Sequence, residues 1–398
     1  MGRAALRENA ILAFLSGPSS MMNLVIPLYL VHLGHPVSLV GLMIALGSVA
    51  SLLSRFAVPR MYRPERSRML LIGNLAGSIL TFAALPFLPD MLHFGLMLVV
   101  NRVFMGITTT IFLARYLDMM VVGADRRQAM GWYGGTQAFG YTTSNVLVGL
   151  LADYLGYVAA FMYGVVFCAM SIVALLWAPE LKPREQSARA REGEVVGRRS
   201  WLHQMADPGL WGVMNVSFWN NLFHLTNVSF FPVLAAAMGL GPAQVGLARG
   251  VYSGINAVGR PMLVVFIRRL SLRQLTYLGL IVQTVLLALL PVSHVFAIVL
   301  VLFSVFAAAR AIVVVSNSSA LAEEVDETRV SRGVATSAFS ATSDVSNIVA
   351  PLVAGFMASA IGVHTMFPVV AVGAFTCFFV ADVSIQRWRR RSAVLAIS

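Results

Sequence analysis

The chain has 398 residues, 58% of them apolar and only 12% charged, with a mean hydropathy of +0.79 and a formal net charge of +12. Soluble domains carry roughly a quarter of charged residues, so a water-soluble fold is excluded and lipid must solvate most of this surface. Nor does the positive charge mark a nucleic-acid binder, because the arginines sit in short clusters between apolar runs and Lys182 is the only lysine.

Arg3 and Arg7 precede an apolar run over 10–31, with Glu8 at its edge and Asn23 deeper inside. The run is long enough to cross a bilayer and no small-residue cleavage site follows it, so it reads as a first transmembrane helix rather than a removable signal. Further spans are predicted over 37–58, 69–89, 93–116, 129–151 and 157–178. A polar gap follows, then 209–237, 243–267, 274–292, 295–318, 335–358 and 363–385. Runs this long and continuously apolar belong to helices, not to strands of a closed barrel. The expected fold is therefore an all-α membrane protein of twelve transmembrane helices.

Alternate connections receive the arginines, among them Arg60, Arg63, Arg66, Arg68, Arg126, Arg127, Arg268, Arg269, Arg273 and the Arg387–Arg391 cluster. The opposite loops hold residues such as His32, His35, Asp90, His93, Asp153, His294 and His364, and no Lys or Arg. This alternation predicts that both termini are cytoplasmic. Between the sixth and seventh spans lies the one extended hydrophilic stretch. It divides the chain into an N-terminal six-helix half (1–178), a cytoplasmic linker (179–207) and a C-terminal six-helix half (208–398).

The halves repeat in sequence. A shift of 205 positions matches Pro27 with Pro232, Gly34 with Gly239, Gly41 with Gly246, Arg55 with Arg260, Arg63 with Arg268 and Arg68 with Arg273. Two parallel-repeated six-helix bundles joined by a polar linker are the architecture that alternating access exploits.

Ionisable groups at membrane depth are costly and face a cavity or a partner. Arg102 lies about one turn outside the middle of the fourth span, Arg249 in the outer part of the eighth, and Arg310 and Asp344 near the middles of the tenth and eleventh. Arg310 and Asp344 either pair with each other between neighbouring helices or leave Asp344 as a protonation site. Arg102 either lines a cavity or snorkels, and Arg249 is expected to snorkel outward. The seventh span is polar, with Asn220, His224 and Asn227 at helical spacing, which reads as interhelical hydrogen bonding or as a cavity wall. Tyr252 and Asn256 on the eighth span, with Trp132, Tyr133, Gln137 and Tyr141 on the fifth, could complete an amphipathic pocket. Three positive groups against one negative favour an anionic, zwitterionic or neutral substrate over a cation.

The twelve spans, the central linker and the repeat resemble the major facilitator superfamily over the whole chain. Gly41, Arg55, Arg63, Arg66 and Arg68 resemble that family's signature after its second helix, without its Asp. Asn101 through Gly106, with Arg102 as its charge, resembles a motif of the proton-coupled exporters, and Gly140 through Gly149 resembles the antiporter motif in outline. The resemblance implies a secondary active transporter of a small organic molecule working by alternating access, with proton-coupled efflux as the first expectation and an uptake symporter or exchanger for an anionic metabolite as the second. With the residue readings above, it gives candidate substrate-binding or coupling roles to Arg102, Asn23, Asn220, His224, Asn227, Tyr252, Asn256, Arg310 and Asp344, and a candidate cytoplasmic gate to Arg55, Arg63, Arg260 and Arg268. The expected partners are a small-molecule substrate, protons and the lipid bilayer of a bacterial inner membrane, with the chain acting as a monomer. No nucleophile, Walker or dinucleotide pattern and no metal-ligand spacing is found, so no enzyme activity, cofactor or metal is expected.

Overall fold

A computed structural model describes residues 3–88, 90–120, 126–178, 207–266, 271–293, 295–326 and 332–395. They form twelve long helices, and no strand occurs among the described residues. The first six are α1 (Arg3–His32), α2 (Val37–Arg55), α3 (Ser67–Ala84), α4 (Met91–Met120), α5 (Arg126–Tyr154) and α6 (Gly156–Leu176). The second six are α7 (Pro208–Ala237), α8 (Pro242–Phe266), α9 (Leu272–Leu289), α10 (Phe296–Asp326), α11 (Arg332–Ile361) and α12 (Val363–Leu395). An even number of crossings brings both ends of the chain to one face. The linker expected at 179–207 lies outside the described residues except for Asp207. That residue caps α7 by accepting from the Gly209 and Leu210 amides at 2.8 and 3.2 Å, with Pro208 in the first helical position.

The repeat is written in the backbone as well as in the sequence. The bounds of α1 recur in α7, and those of α3 in α9, each 205 positions later. The single-turn 3-10 segments Leu85–Phe87 and Leu290–Val292 keep that register, as do Gly34 and Gly239. These glycines follow α1 and α7 with φ of 78° and 77°, a left-handed turn that a side chain would strain.

Apolar side chains are distributed as a bilayer requires. Met69, Leu80 and Phe87 on one side and Val301 and Phe356 on another are 60–79% exposed, which only lipid makes tolerable over so many helices. By contrast α1 runs through the interior, with 78% of its most apolar stretch buried against 39% for α2. On length and apolarity nine of the helices among the described residues can cross a membrane. The exceptions, α5, α7 and α8, are richer in Asn, Ser, Thr, Tyr and Arg, many of them buried.

Two glycine-tight contacts join the first six helices to the second six. A Cβ at Gly41 on α2 would lie 2.3 Å from the Pro351 carbonyl oxygen and 2.9 Å from the Gly355 Cα on α11. One at Gly149 on α5 would lie 2.6 Å from the Pro242 carbonyl oxygen and 2.8 Å from the Gly246 Cα on α8. Both contacts lie at the helix ends remote from the termini, where the Ser38 amide also donates to Ser359 Oγ at 2.7 Å. That face is shut.

At the termini face of the first six helices, Arg115 and Glu8 are both fully buried and 2.8 Å apart. A second guanidinium nitrogen of Arg115 donates to Ser67 Oγ at 3.2 Å, tying α4 to α1 and α3. Neither residue stands out in the sequence, because Glu8 sits at the edge of a span and Arg115 at the end of another.

Candidate functional site

Between the two sets of helices lies a cavity of about 350 Å³. Its wall is built from α1 (Ser19, Ser20, Asn23), α2 (Ser51, Arg55), α4 (Arg102, Met105, Gly106, Thr109), α5 (Tyr141, Asn145), α7 (Asn221, His224, Leu225, Val228), α8 (Arg249, Tyr252, Ser253) and α11 (Ser343, Asn347). Three guanidinium groups therefore meet the space. No carboxylate lines it among the described residues.

Each arginine is placed differently. Arg102 donates to Asn23 Oδ1 at 3.0 Å, and its stem runs over Gly47, where a Cβ would lie 2.9 Å from the Arg102 Cγ. Gly106, one turn on, brings α4 against α2, since a Cβ there would meet the Ser51 and Ser54 hydroxyls at 2.7 Å. The Arg102–Gly106 spacing thus puts the charge in the cavity and a small residue at the helix contact beneath it. Arg249 is 3% exposed, and its Nη1 has no hydrogen-bond partner among the described residues. A buried donor left unpaired is expensive, so an acceptor entering the cavity would relieve that cost. The expected outward snorkelling of Arg249 is thereby corrected: the helix turns this residue toward the interior, where α5 packs against α8 and covers it.

Arg55 reaches across from α2 to Asp344 on α11, with Nη1 and Oδ1 3.1 Å apart. An Arg310–Asp344 pair is not formed. Arg310 instead lies 3.5 Å from Asn256 Oδ1 on α8, away from the cavity wall. The reason is azimuth: Asp344 falls on the side of α11 that faces α2, whereas Arg310 falls on the side of α10 that faces α8.

Polar and aromatic groups complete the wall. Asn145 accepts from Ser20 Oγ at 2.9 Å and donates to Ser253 Oγ at 3.3 Å, so it links α1, α5 and α8 at one point. The Tyr252 hydroxyl lies 2.6 Å from His224 Nδ1, with the two rings stacked at 5.5 Å. Asn221 donates to Ser343 Oγ at 2.9 Å.

Of the residues singled out in the sequence, Arg102, Asn23, His224, Tyr252 and Arg55 meet in this cavity, with Asp344 behind Arg55. Asn220 is turned into the second bundle, where Gln283 donates to it at 3.1 Å. Asn227 is buried outside the wall, and Asn256 donates to the Tyr252 carbonyl at 3.1 Å. On α5, Tyr141 lines the cavity, Tyr133 and Gln137 border a small adjoining void, and Trp132 is exposed. Arg63 is exposed, while Arg268 and the side chain of Arg260 lie outside the described residues. Thr109, Ser253 and Ser343 were not singled out in the sequence, and Asn145 and Asn221 stood there only as a repeat match and as part of a polar span, because small polar residues are common in spans and only helix azimuth shows which ones converge.

Comparisons agree with this architecture. Residues 10–331 and 222–394 match the sequence profile of the Major Facilitator Superfamily. No curated protein matches the chain in sequence. Among solved structures, a mutant of the nucleoside transporter NupG is similar over 96% of this chain and 100% of its own, with a TM-score of 0.76 at 14% identity. A bacterial homologue of the human lysosomal transporter Spinster, in an inward-facing and occupied conformation, is similar over 97% of this chain and 96% of its own. Its TM-score is 0.73 at 13% identity.

Proposed function

The chain belongs to the Major Facilitator Superfamily, and from that premise we propose that it is a secondary active transporter of a small organic anion. One observation carries the choice of anion: Arg55, Arg102 and Arg249 line the cavity and no carboxylate does, among the described residues. In a low-dielectric space, cationic walls favour an anionic guest and repel a cationic one. The stacked His224 and Tyr252 offer a flat face for an unsaturated or ring-bearing body.

Coupling follows from Asp344, the one carboxylate among the described residues that touches this wall through a partner. While Asp344 is ionised it holds Arg55; once protonated it releases that guanidinium to the substrate. Proton and anion then favour each other's binding, and linkage makes the effect reciprocal. Mutual enhancement is the thermodynamic condition for carrying both in one direction, so the geometry supports proton–anion symport. Proton-coupled export is the second reading, supported by Arg102 and Gly106, the residues of the exporter-like motif, which lie together in the cavity wall. By the positive-inside rule the arginine-rich termini face is cytoplasmic. With the opposite face shut, the cavity then addresses the cytoplasm of a cell whose inner membrane holds the protein.

The test is thermal unfolding of the purified protein with organic anions, neutral compounds and cations at two pH values. One anionic class should stabilise the wild type. Arg102→Ala and Arg249→Ala should each weaken that response about thirtyfold or more, the loss expected when a buried charge loses its partner. Stabilisation by lipophilic cations that ignores Arg102 would overturn the reading.

Asp344→Asn tests the coupling separately. It imitates the protonated acid, so anion affinity should stay at its acid-side value as pH rises, and uptake into liposomes should stop driving proton movement. A variant that keeps the wild-type pH dependence would remove Asp344 from the coupling and leave anion selection intact.

A further inference from the structure

A second cavity, of about 430 Å³, opens at the termini face between α7, α9, α10 and α12. The repeat explains its origin. Glu8, Arg115 and Ser67 form the buried ionic cluster of the first bundle; 205 positions later stand Val213, Ala320 and Leu272. All three of these replacements line the cavity. Where one bundle is plugged by two long charged side chains, the other has short apolar ones and a void.

The void is amphipathic. Its depth is largely apolar, formed by Val213, Ala320 and the fully buried Phe378, and the buried Asn317 and Thr276 beside them already donate to the Val213 and Leu272 carbonyls. Its one deep acid, Asp382, is 8% exposed and already engaged: Tyr277 donates to it at 2.5 Å, Gln386 donates to the same oxygen, and Arg273 lies 3.7 Å away. The rim carries the exposed Arg273, Arg389 and Arg390 against, among the described residues, a single exposed Glu323. Trp388, 40% exposed among these arginines, is a residue that settles at the membrane–water interface, so the rim lies at headgroup depth.

We propose that this cavity is a second binding site, separate from the central one, for an anionic amphiphile. Its phosphate or carboxylate meets Arg273 and Arg390 at the rim, and its apolar body fills the space that Glu8 and Arg115 occupy in the first bundle. The source is a membrane lipid such as phosphatidylglycerol or a soluble amphiphilic phosphate; the chemistry recognised is the same.

The experiment follows thermal unfolding of the full chain in neutral detergent with phosphatidylglycerol, phosphatidylcholine, octyl phosphate or inorganic phosphate added. Phosphatidylglycerol should raise the midpoint and phosphatidylcholine should not. If octyl phosphate acts as well, the site takes soluble amphiphiles; if it does not, the site takes the bilayer lipid. Arg273→Gln and Arg390→Gln should each weaken the response about fivefold, as expected for one arginine at a charged surface. Ala320→Leu should abolish it by filling the void. Val213→Glu with Ala320→Arg, which rebuilds the first bundle's pair, should abolish it too and keeps the test alive if the leucine variant does not fold. A response fully reproduced by inorganic phosphate or by phosphatidylcholine, or unchanged in these variants, would overturn the site.

Discussion

Replacing Glu8 with Ala is expected to cost about 3–5 kcal/mol of folding stability, and Arg115→Ala the same, because each takes the ion-pair partner from a charge that stays buried. The two groups are fully buried and 2.8 Å apart, and Ser67 also accepts from the guanidinium, so neither can turn to water. The pair joins α1 to α4 across 107 residues of chain, and α1 runs through the interior of the fold. Loss should therefore appear as a lowered unfolding midpoint in detergent and as little protein surviving a brief heat step. Removing both charges at once, as Glu8→Leu with Arg115→Met, should recover most of the loss, since well-packed apolar groups replace buried pairs at little cost. The second bundle already uses the apolar solution at Val213 and Ala320. Single variants as stable as the wild type would show that water reaches the pair.

The second large effect concerns the shut face. Gly41→Val and Gly149→Val put branched side chains where even a Cβ would come within 2.3 and 2.6 Å of backbone carbonyl oxygens. Backbone on a long helix cannot step aside as a flexible side chain can, so the contacts α2–α11 and α5–α8 must open. Overpacking costs about 1–3 kcal/mol, which shifts a two-state ratio about 5- to 150-fold. The penalty falls only on the conformation in which this face is closed, so the variants should favour the opposite-facing state. Ser38→Cys, beside the seal at Ser359, should then label faster with a membrane-impermeant maleimide. Unchanged labelling in both variants would mean that the face opens without parting these helices.

Much of the fold was legible in the sequence. Apolar run length reports bilayer thickness, and arginine placement reports the side on which each loop lies, so twelve spans and their alternation could be read directly. The ends of the helices were less legible. The tenth span was read to 318 and the twelfth to 385, whereas α10 runs to Asp326 and α12 to Leu395. Hydropathy marks where a helix leaves the lipid, while backbone hydrogen bonds carry it on past that boundary.

At the candidate site the division is sharper. The sequence by itself determined that a handful of arginines, one aspartate and a row of Asn and His residues had to be accommodated at membrane depth, and that the chain repeats at 205 positions. Only the tertiary structure decided that Asp344 faces Arg55, that Arg310 faces Asn256, and that Arg249 turns inward to stand with Arg102 in one cavity. The same holds for the two bundles: Val213 and Ala320 look like ordinary span residues until packing shows the space they leave. The reason is physical. Cost of burial depends on the residue alone and can be read one position at a time. Pairing depends on the azimuth of helices far apart in the chain, and no local pattern encodes it.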